Sequence, residues 1–250
     1  MSALAFTIAL GLPAAGSLTA WVAAVRGWRT ARGQIPQGSD FREVRGRIIL
    51  LVVLSSTLIV FGLVVSLLLL GEMVSEGAAL PAALAYGVPG LLAGLGMSIM
   101  YWRGTSTAVA SKQAFARVLT LALLPENPAV LGLVVSILLI RSVSNAGVTP
   151  HGAYSAWLAS ALAMIGSIGG LLGAAFAVSS WDFTTQATWP KALVRSARGG
   201  YATVVCFALA MAVLGEWLVP LLIVLYFGGG LGIVLFIRAR RKGRQRMNPP

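Results

Sequence analysis

The chain has 250 residues, of which 58% are hydrophobic and only 10% are charged, and its mean hydropathy is +0.86. Such a composition indicates an integral membrane protein and excludes a soluble globular domain. The formal net charge of +12 would suggest a nucleic-acid partner in a soluble protein, but the basic residues lie almost wholly between apolar runs or in the C-terminal tail. There they orient membrane spans, so we expect no nucleic-acid partner.

Six apolar runs are long enough to cross a bilayer core of about 30 Å. The predicted spans cover residues 3–25, 48–70, 80–102, 116–140, 154–180 and 201–227. The first, third and fifth connections between them carry most of the basic residues of the connections, so the positive-inside rule places them in the cytoplasm and the N-terminus outside. We therefore expect an all-α, multi-pass membrane protein.

The last apolar segment can be divided in two ways. Residues 201–237 form a nearly unbroken apolar run, which is followed by the basic tail 238–250. A single long helix would place this tail outside, against the positive-inside rule, whereas two short spans broken near Gly215–Glu216–Trp217 would place it inside and give a seventh span. We favour the single helix because it preserves an internal repeat.

That repeat is the strongest pattern in the sequence. FGLVVSLLLL at residues 61–70 and LGLVVSILLI at residues 131–140 are identical at seven of ten positions, and a third copy is weaker. The pattern predicts three tandem transmembrane hairpins and a tail, over residues 1–70, 71–141, 142–237 and 238–250. The odd helices are glycine-rich and are expected to pack against one another, whereas the Leu/Val-rich even helices are expected to face lipid.

One acidic residue lies in the middle of the fourth span. Between Arg117 and Arg141 the only ionisable residue is Glu126, and a charge at that depth is expensive and usually functional. Pro125 and Pro128 flank it and would leave backbone carbonyls without their helical partners. A carboxyl beside such carbonyls predicts a site that holds and releases a proton or a small cation.

The repeat also predicts the equivalent positions in the other hairpins. The offset of 70 residues places Ser56 on Glu126, so the first hairpin should carry no ion. In the third hairpin Glu216 follows a similar pattern and is the less certain second candidate. Asp182 and Glu216 are symmetric about residues 199–200 and could share a proton.

Arg103 presents two alternatives. If the chain turns near Lys112–Ala114, Arg103 and Glu126 are about equally far from the turn, and an ion pair would hold the carboxylate ionised. Alternatively Arg103 reaches the cytoplasmic interface and Glu126 faces lipid. We favour the second arrangement, and both remain open from the sequence.

These features resemble the c (proteolipid) subunit of the V-type and archaeal-type rotary ATPases. The resemblance is carried by LLPENPAVLGLVVSILLI (Leu123–Ile140), STLIVFGLVVSLLLL (Ser56–Leu70) and the glycine-rich GLLAGLGMSIMYWRG (Gly90–Gly104). It is clear over about residues 5–140 and faint over residues 154–227.

The resemblance implies an ion-carrying rotor subunit with Glu126 as the ion-binding residue. It implies a ring of such c-type subunits, a stator subunit of the a or I type, a central stalk and surrounding lipid as partners, in a bacterial or archaeal plasma membrane. Thr57 fits a hydroxyl ligand position of that family, but Leu58 and Arg103 stand where sodium-carrying members resemble one another in glutamine. We therefore expect a proton as the transported ion, in preference to sodium.

Two other functions remain open. Ser56, Arg103 and the basic tail suit a non-transporting scaffold or assembly subunit derived from such hairpins, and a seventh span would suit an unrelated transporter. The sequence contains no P-loop, no G-x-S-x-G and no H-E-x-x-H motif. We therefore expect no enzymatic activity, no cofactor and no resident metal.

Overall fold

The computed structural model describes residues 3–35, 40–71, 76–146, 150–181 and 188–215. Its helices are α1 (Ala3–Ala31), α2 (Phe41–Gly71), α3 (Glu76–Ala110), α4 (Lys112–Leu123), α5 (Asn127–Ala146), α6 (Pro150–Ser180) and α7 (Trp189–Val213), with short 3-10 turns at Arg32–Gln34 and Leu124–Glu126. The residues between Lys112 and Arg141 count as one span, so the described residues include six helices that could cross a membrane by length and composition. The predicted all-α membrane fold is confirmed.

The helices extend beyond the predicted spans at their basic ends. α1 continues to Ala31 and α3 continues to Ala110, because polar residues outside the hydrocarbon still satisfy their backbones in a helix. The turn after α3 is tight. Ser111 adopts an extended conformation, and its hydroxyl accepts a hydrogen bond from the Ala114 backbone N–H at 3.1 Å. This N-cap starts α4 at Lys112, a little earlier than the sequence indicates.

The expectation of one long final helix from residue 201 to residue 237 is wrong, because the helix ends at Val213. α7 begins at Trp189 and ends at Val213, and a turn follows at Leu214–Gly215. Gly215 has φ +83°, a left-handed conformation that glycine adopts readily and that terminates helices. Glu216, Asp182, the rest of the apolar run and the basic tail lie outside the described residues.

The glycine-rich helices α1, α3 and α6 form an inner layer with α3 at its centre. A Cβ built on Gly94 would lie 2.2 Å from the carbonyl carbon of Gly16, so no side chain fits where α1 and α3 cross. On the other side of α3, a Cβ on Gly96 would lie 3.5 Å from the Cβ of Ala174 in α6. Small residues thus bring backbones together, which is how helices associate without a hydrophobic driving force.

Each inner helix packs against the antiparallel outer helix of its own hairpin. Gly62 of α2 lies against the Ala9 carbonyl, Gly132 of α5 against the Ala85 carbonyl, and Gly199 of α7 against the Gly169 carbonyl. The outer helix α2 carries a stripe of exposed branched side chains, among them Ile49, Val53, Val60, Leu63, Leu67 and Leu70. Such a stripe is what a bilayer covers.

Two buried tyrosine hydroxyls join α3 to α2 by hydrogen bonds. The hydroxyl of Tyr86 donates to the Leu58 carbonyl at 2.6 Å, and the hydroxyl of Tyr101 donates to the Leu51 carbonyl at 3.0 Å. Both tyrosines are fully buried and belong to α3. They fix the rotation of α2 against α3, because each bond joins one defined pair of atoms.

We expect Tyr86→Phe to lower the free energy of unfolding by about 1 kcal/mol, the net contribution of one buried hydrogen bond. The ring stays in place, so the change isolates the hydroxyl. Unfolding of the detergent-solubilised protein measures the effect. Tyr154→Phe is the matched control because Tyr154 is 72% exposed. Equal stability of the two variants would contradict this role of Tyr86.

An ion-pair cluster lies where α2 begins and α3 ends, which is the end of these helices that meets the basic connections. The Glu43 carboxylate lies 2.9 Å from the Arg47 guanidinium and 3.2 Å from the Lys112 ammonium, and Arg47 also donates to the Ala108 carbonyl. The cluster therefore joins the start of α2 to the α3–α4 turn. The Arg47 side chain is only 11% exposed, whereas Lys112 and Glu43 are exposed, and exposed pairs such as theirs contribute little stability.

Candidate ion-binding site

Glu126 lies at a break in the fourth span. α4 ends at Leu123, residues Leu124–Glu126 form a 3-10 turn, and α5 begins at Asn127. Pro125 causes the break because it has no backbone N–H to continue the helix. The Glu126 side chain is only 8% exposed, so the break directs a carboxyl into the protein.

The two prolines near this break pack against glycines of the inner helices α3 and α6. A Cβ on Gly96 of α3 would lie 2.8 Å from the Cβ of Pro125, and one on Gly170 of α6 would lie 2.4 Å from the Cγ of Pro128. The two proline rings therefore occupy space that only glycine leaves free. This packing holds Glu126 at the level of Gly96 along α3.

The carboxyl of Glu126 meets a hydroxyl from the first hairpin. Thr57 of α2 lies with its Oγ1 2.5 Å from Glu126 Oε1 and 2.6 Å from the Leu54 carbonyl oxygen. A hydroxyl has one proton to donate and can accept from another donor. Both contacts are hydrogen bonds at the same time only if Glu126 is protonated and donates to Thr57, which in turn donates to Leu54.

Arg103 forms no ion pair with Glu126, and Glu126 does not face lipid, so neither of the two arrangements predicted for these residues is fully correct. The turn at Ser111 places Arg103 about 12 Å and Glu126 about 22 Å along their helices from that turn. Arg103 is exposed, as the second alternative requires, but Glu126 is buried and does not face lipid. No residue in the described ranges forms an ion pair with Glu126.

Of the other predicted site residues, Thr57 contacts Glu126 and Ser56 does not. Ser56 is half-buried and donates to the Val52 carbonyl of its own helix at 2.9 Å, so its neighbour Thr57 is the residue that reaches Glu126. Asp182 and Glu216 lie outside the described residues. The structure thus brings together Glu126, Thr57 and the Leu54 carbonyl.

Two residues next to the site were missed by the sequence analysis. Tyr86 and Tyr101 bind the carbonyls of Leu58 and Leu51, which flank Leu54 and Thr57 on α2. A tyrosine within an apolar, glycine-rich span indicates a hydrogen bond to a neighbouring helix, because its buried hydroxyl must find a partner. These bonds hold the Thr57 turn of α2 at the height of Glu126.

No protein-family model matches the chain, and no curated protein or solved structure matches it. Function is therefore inferred from the geometry around Glu126 and from the arrangement of the helices.

Proposed function

We propose that the protein is a rotor (c-ring) subunit of a V/A-type ion-translocating ATPase and that it carries protons on Glu126. One observation carries the proposal: a buried carboxyl at a proline break in a membrane span, in contact with the Thr57 hydroxyl of the preceding hairpin. An isolated carboxylate in hydrocarbon is costly, so a site of this kind favours exchange between a charged and a neutral form.

The chemistry at Glu126 is reversible protonation. In the neutral form the carboxyl O–H donates a hydrogen bond to Thr57 Oγ1, and the Thr57 hydroxyl donates one to the Leu54 carbonyl, so all three groups are satisfied. On release, the carboxyl proton leaves by an exit path beside a stator cation on another subunit. The Thr57 hydroxyl keeps its proton and turns to donate a hydrogen bond to the carboxylate left behind. No bond other than O–H is formed or broken.

The oxygens around Glu126 favour a proton over a metal cation. Thr57 and Leu54 supply one oxygen each, and the neighbouring Leu58 has an apolar side chain. Hard cations in proteins commonly take six or more oxygen ligands. A proton needs one acceptor, which the site provides.

The helix layers support the proposed assembly into a ring, and the membrane that we propose is the plasma membrane of a bacterium or archaeon. A tight glycine layer of α1, α3 and α6 and an outer layer that includes the Leu/Val-rich α2 suit wedge-shaped hairpins around an axis. The partners would be further c-type subunits, a stator subunit of the a or I type and a central stalk. Ser56 cannot carry an ion, so the chain would move fewer ions than it has hairpins.

The test combines chemical labelling with a view of the oligomer. A carboxyl-selective carbodiimide is expected to label Glu126 in the membrane-embedded protein, and the purified oligomer is expected to be annular in class averages. Glu43, which lies in the ion-pair cluster at the basic end, distinguishes surface labelling from labelling at the site. Absence of Glu126 labelling at every pH, or a non-annular assembly, would overturn the proposal.

The second candidate, a non-transporting scaffold subunit, is favoured by the burial of Glu126. A carboxyl that is 8% exposed and bonded to Thr57 suits a permanent polar contact between two hairpins. This function predicts that Glu126→Gln leaves all activity of the complex unchanged. The exposed position of Arg103 gives no support to the ion pair on which the scaffold hypothesis drew.

A further inference from the structure

A groove with a volume of about 550 Å³ lies between α1, α3 and the end of α6. Its lining includes Leu18, Val22, Ile99 and Val178, and the end of the groove nearest the C-termini of α1 and α3, called its mouth below, carries Arg26 and Arg103. The two arginines lie near the C-terminal ends of α1 and α3. These are the ends that meet the basic connections of the chain.

Both hydroxyl groups that line this groove already donate hydrogen bonds to backbone carbonyls. Thr19 donates to the Gly16 carbonyl and Ser98 donates to the Leu95 carbonyl, each at 2.7 Å within its own helix. Apart from the two arginines and the Trp102 indole, the remaining lining is hydrocarbon, so an apolar occupant is favoured over water.

The mouth of the groove is strongly cationic. Arg26 and Arg103 are both exposed, and the Arg26 guanidinium lies 5.9 Å from the centre of the Trp102 ring. Among the described carboxylates, Glu43 pairs with Arg47 and Lys112, Asp40 accepts from the Arg42 backbone N–H, and Glu126 bonds Thr57. No described acid neutralises the two arginines, so the mouth attracts an anion.

We propose that this groove binds an anionic phospholipid, with an acyl chain along the apolar walls and the phosphate between Arg26 and Arg103. Basic pockets between transmembrane helices recognise such headgroups, and guanidinium groups bind phosphate in a forked geometry. Other occupants fit less well. The tail 238–250 is itself basic, and a second copy of the chain would bring an identical pair of arginines to the mouth.

A second groove of the same kind supports the proposal. About 480 Å³ lies between α6 and α7, with Leu172 and Phe176 in its walls and Arg195 and Arg198 on its lining. A pair of arginines beside apolar walls therefore occurs twice, at different helix pairs. A recurrent combination of this kind indicates a shared ligand chemistry.

Photo-crosslinking from Val22 identifies the occupant of the first groove. Val22 is 49% exposed, so a benzoylphenylalanine there can be placed without disturbing the core. The full chain is reconstituted in vesicles of equal phosphatidylglycerol and phosphatidylcholine content, irradiated and analysed by mass. We expect phosphatidylglycerol adducts in about 25-fold excess, from about fivefold per arginine near an anionic headgroup.

Arg26→Gln with Arg103→Gln is expected to bring the two adducts to nearly equal yield. Arg29→Gln with Arg45→Gln is the matched control, because it removes the same charge from exposed positions outside the groove lining and should preserve the excess. An excess of glycerol 3-phosphate should not displace the lipid, because it lacks the acyl chain.

Four results would overturn the proposal. They are crosslinks to a second copy or to the chain's own tail, equal adduct yields in the unchanged protein, an excess that survives loss of both groove arginines, and full displacement by glycerol 3-phosphate. Thermal unfolding of each variant verifies that it is folded.

Discussion

Glu126→Gln is expected to reduce proton transport to background while the protein remains folded. The amide can donate an N–H to Thr57 Oγ1 as the protonated acid does, so the contact with α2 is kept. It cannot exchange a proton at accessible pH, so the transport cycle stops. Proton uptake into vesicles that contain the reconstituted ATPase, followed with a pH-sensitive dye, measures the effect.

Two variants separate the loss of a carrier from general damage. Glu43→Gln removes the acid of the surface cluster and should leave transport near normal. Thr57→Val removes only the hydroxyl and should slow transport about fivefold, as expected for one buried hydrogen bond. Normal transport by Glu126→Gln would exclude the rotor proposal and favour the scaffold function.

Gly94→Ala is expected to destabilise the protein by about 3 kcal/mol, at the upper end of the usual range for overpacking. A Cβ at this position would lie 2.2 Å from the backbone of Gly16, and a backbone cannot move aside as a side chain can. The crossing of α1 and α3 must therefore open. Denaturant titration of the detergent-solubilised protein measures the free energy of unfolding.

Gly46→Ala provides the matched control for this prediction. Gly46 lies in α2 with nothing within 4 Å of an added Cβ, and alanine favours the helix by up to about 1 kcal/mol. The two glycine-to-alanine changes should therefore differ in sign. Equal effects would show that the close approach of Gly16 and Gly94 does not limit stability.

The sequence identified the features that depend on composition and on local pattern. Hydropathy found the six spans, the repeat predicted that α1, α3 and α6 would pack through glycines, and Glu126 stood out as an acid within an apolar run. The spans and Glu126 stand out because polar groups are costly in hydrocarbon, and the glycine packing follows because small residues let helix backbones approach closely.

The errors concern positions that are set by a single residue. The cap at Ser111 starts α4 earlier than expected, and with the turn at this residue Arg103 and Glu126 differ by about 10 Å in depth. The turn at Gly215 lies where the alternative with two short spans placed a break, but the run remains apolar on both sides, so hydropathy alone did not favour that alternative. Local pattern does not predict the Thr57–Glu126 contact, because it joins residues 69 apart and depends on how two hairpins dock; only the family resemblance placed Thr57 at a hydroxyl position of the site.

The Thr57–Glu126 contact is made within one polypeptide. Its two halves come from consecutive hairpins, so the contact forms as the chain folds and needs no neighbouring molecule. Its formation is therefore independent of protein concentration, unlike a contact at an interface between chains. If Glu126 carries a proton as we propose, a single chain can bind that proton before it joins any larger assembly.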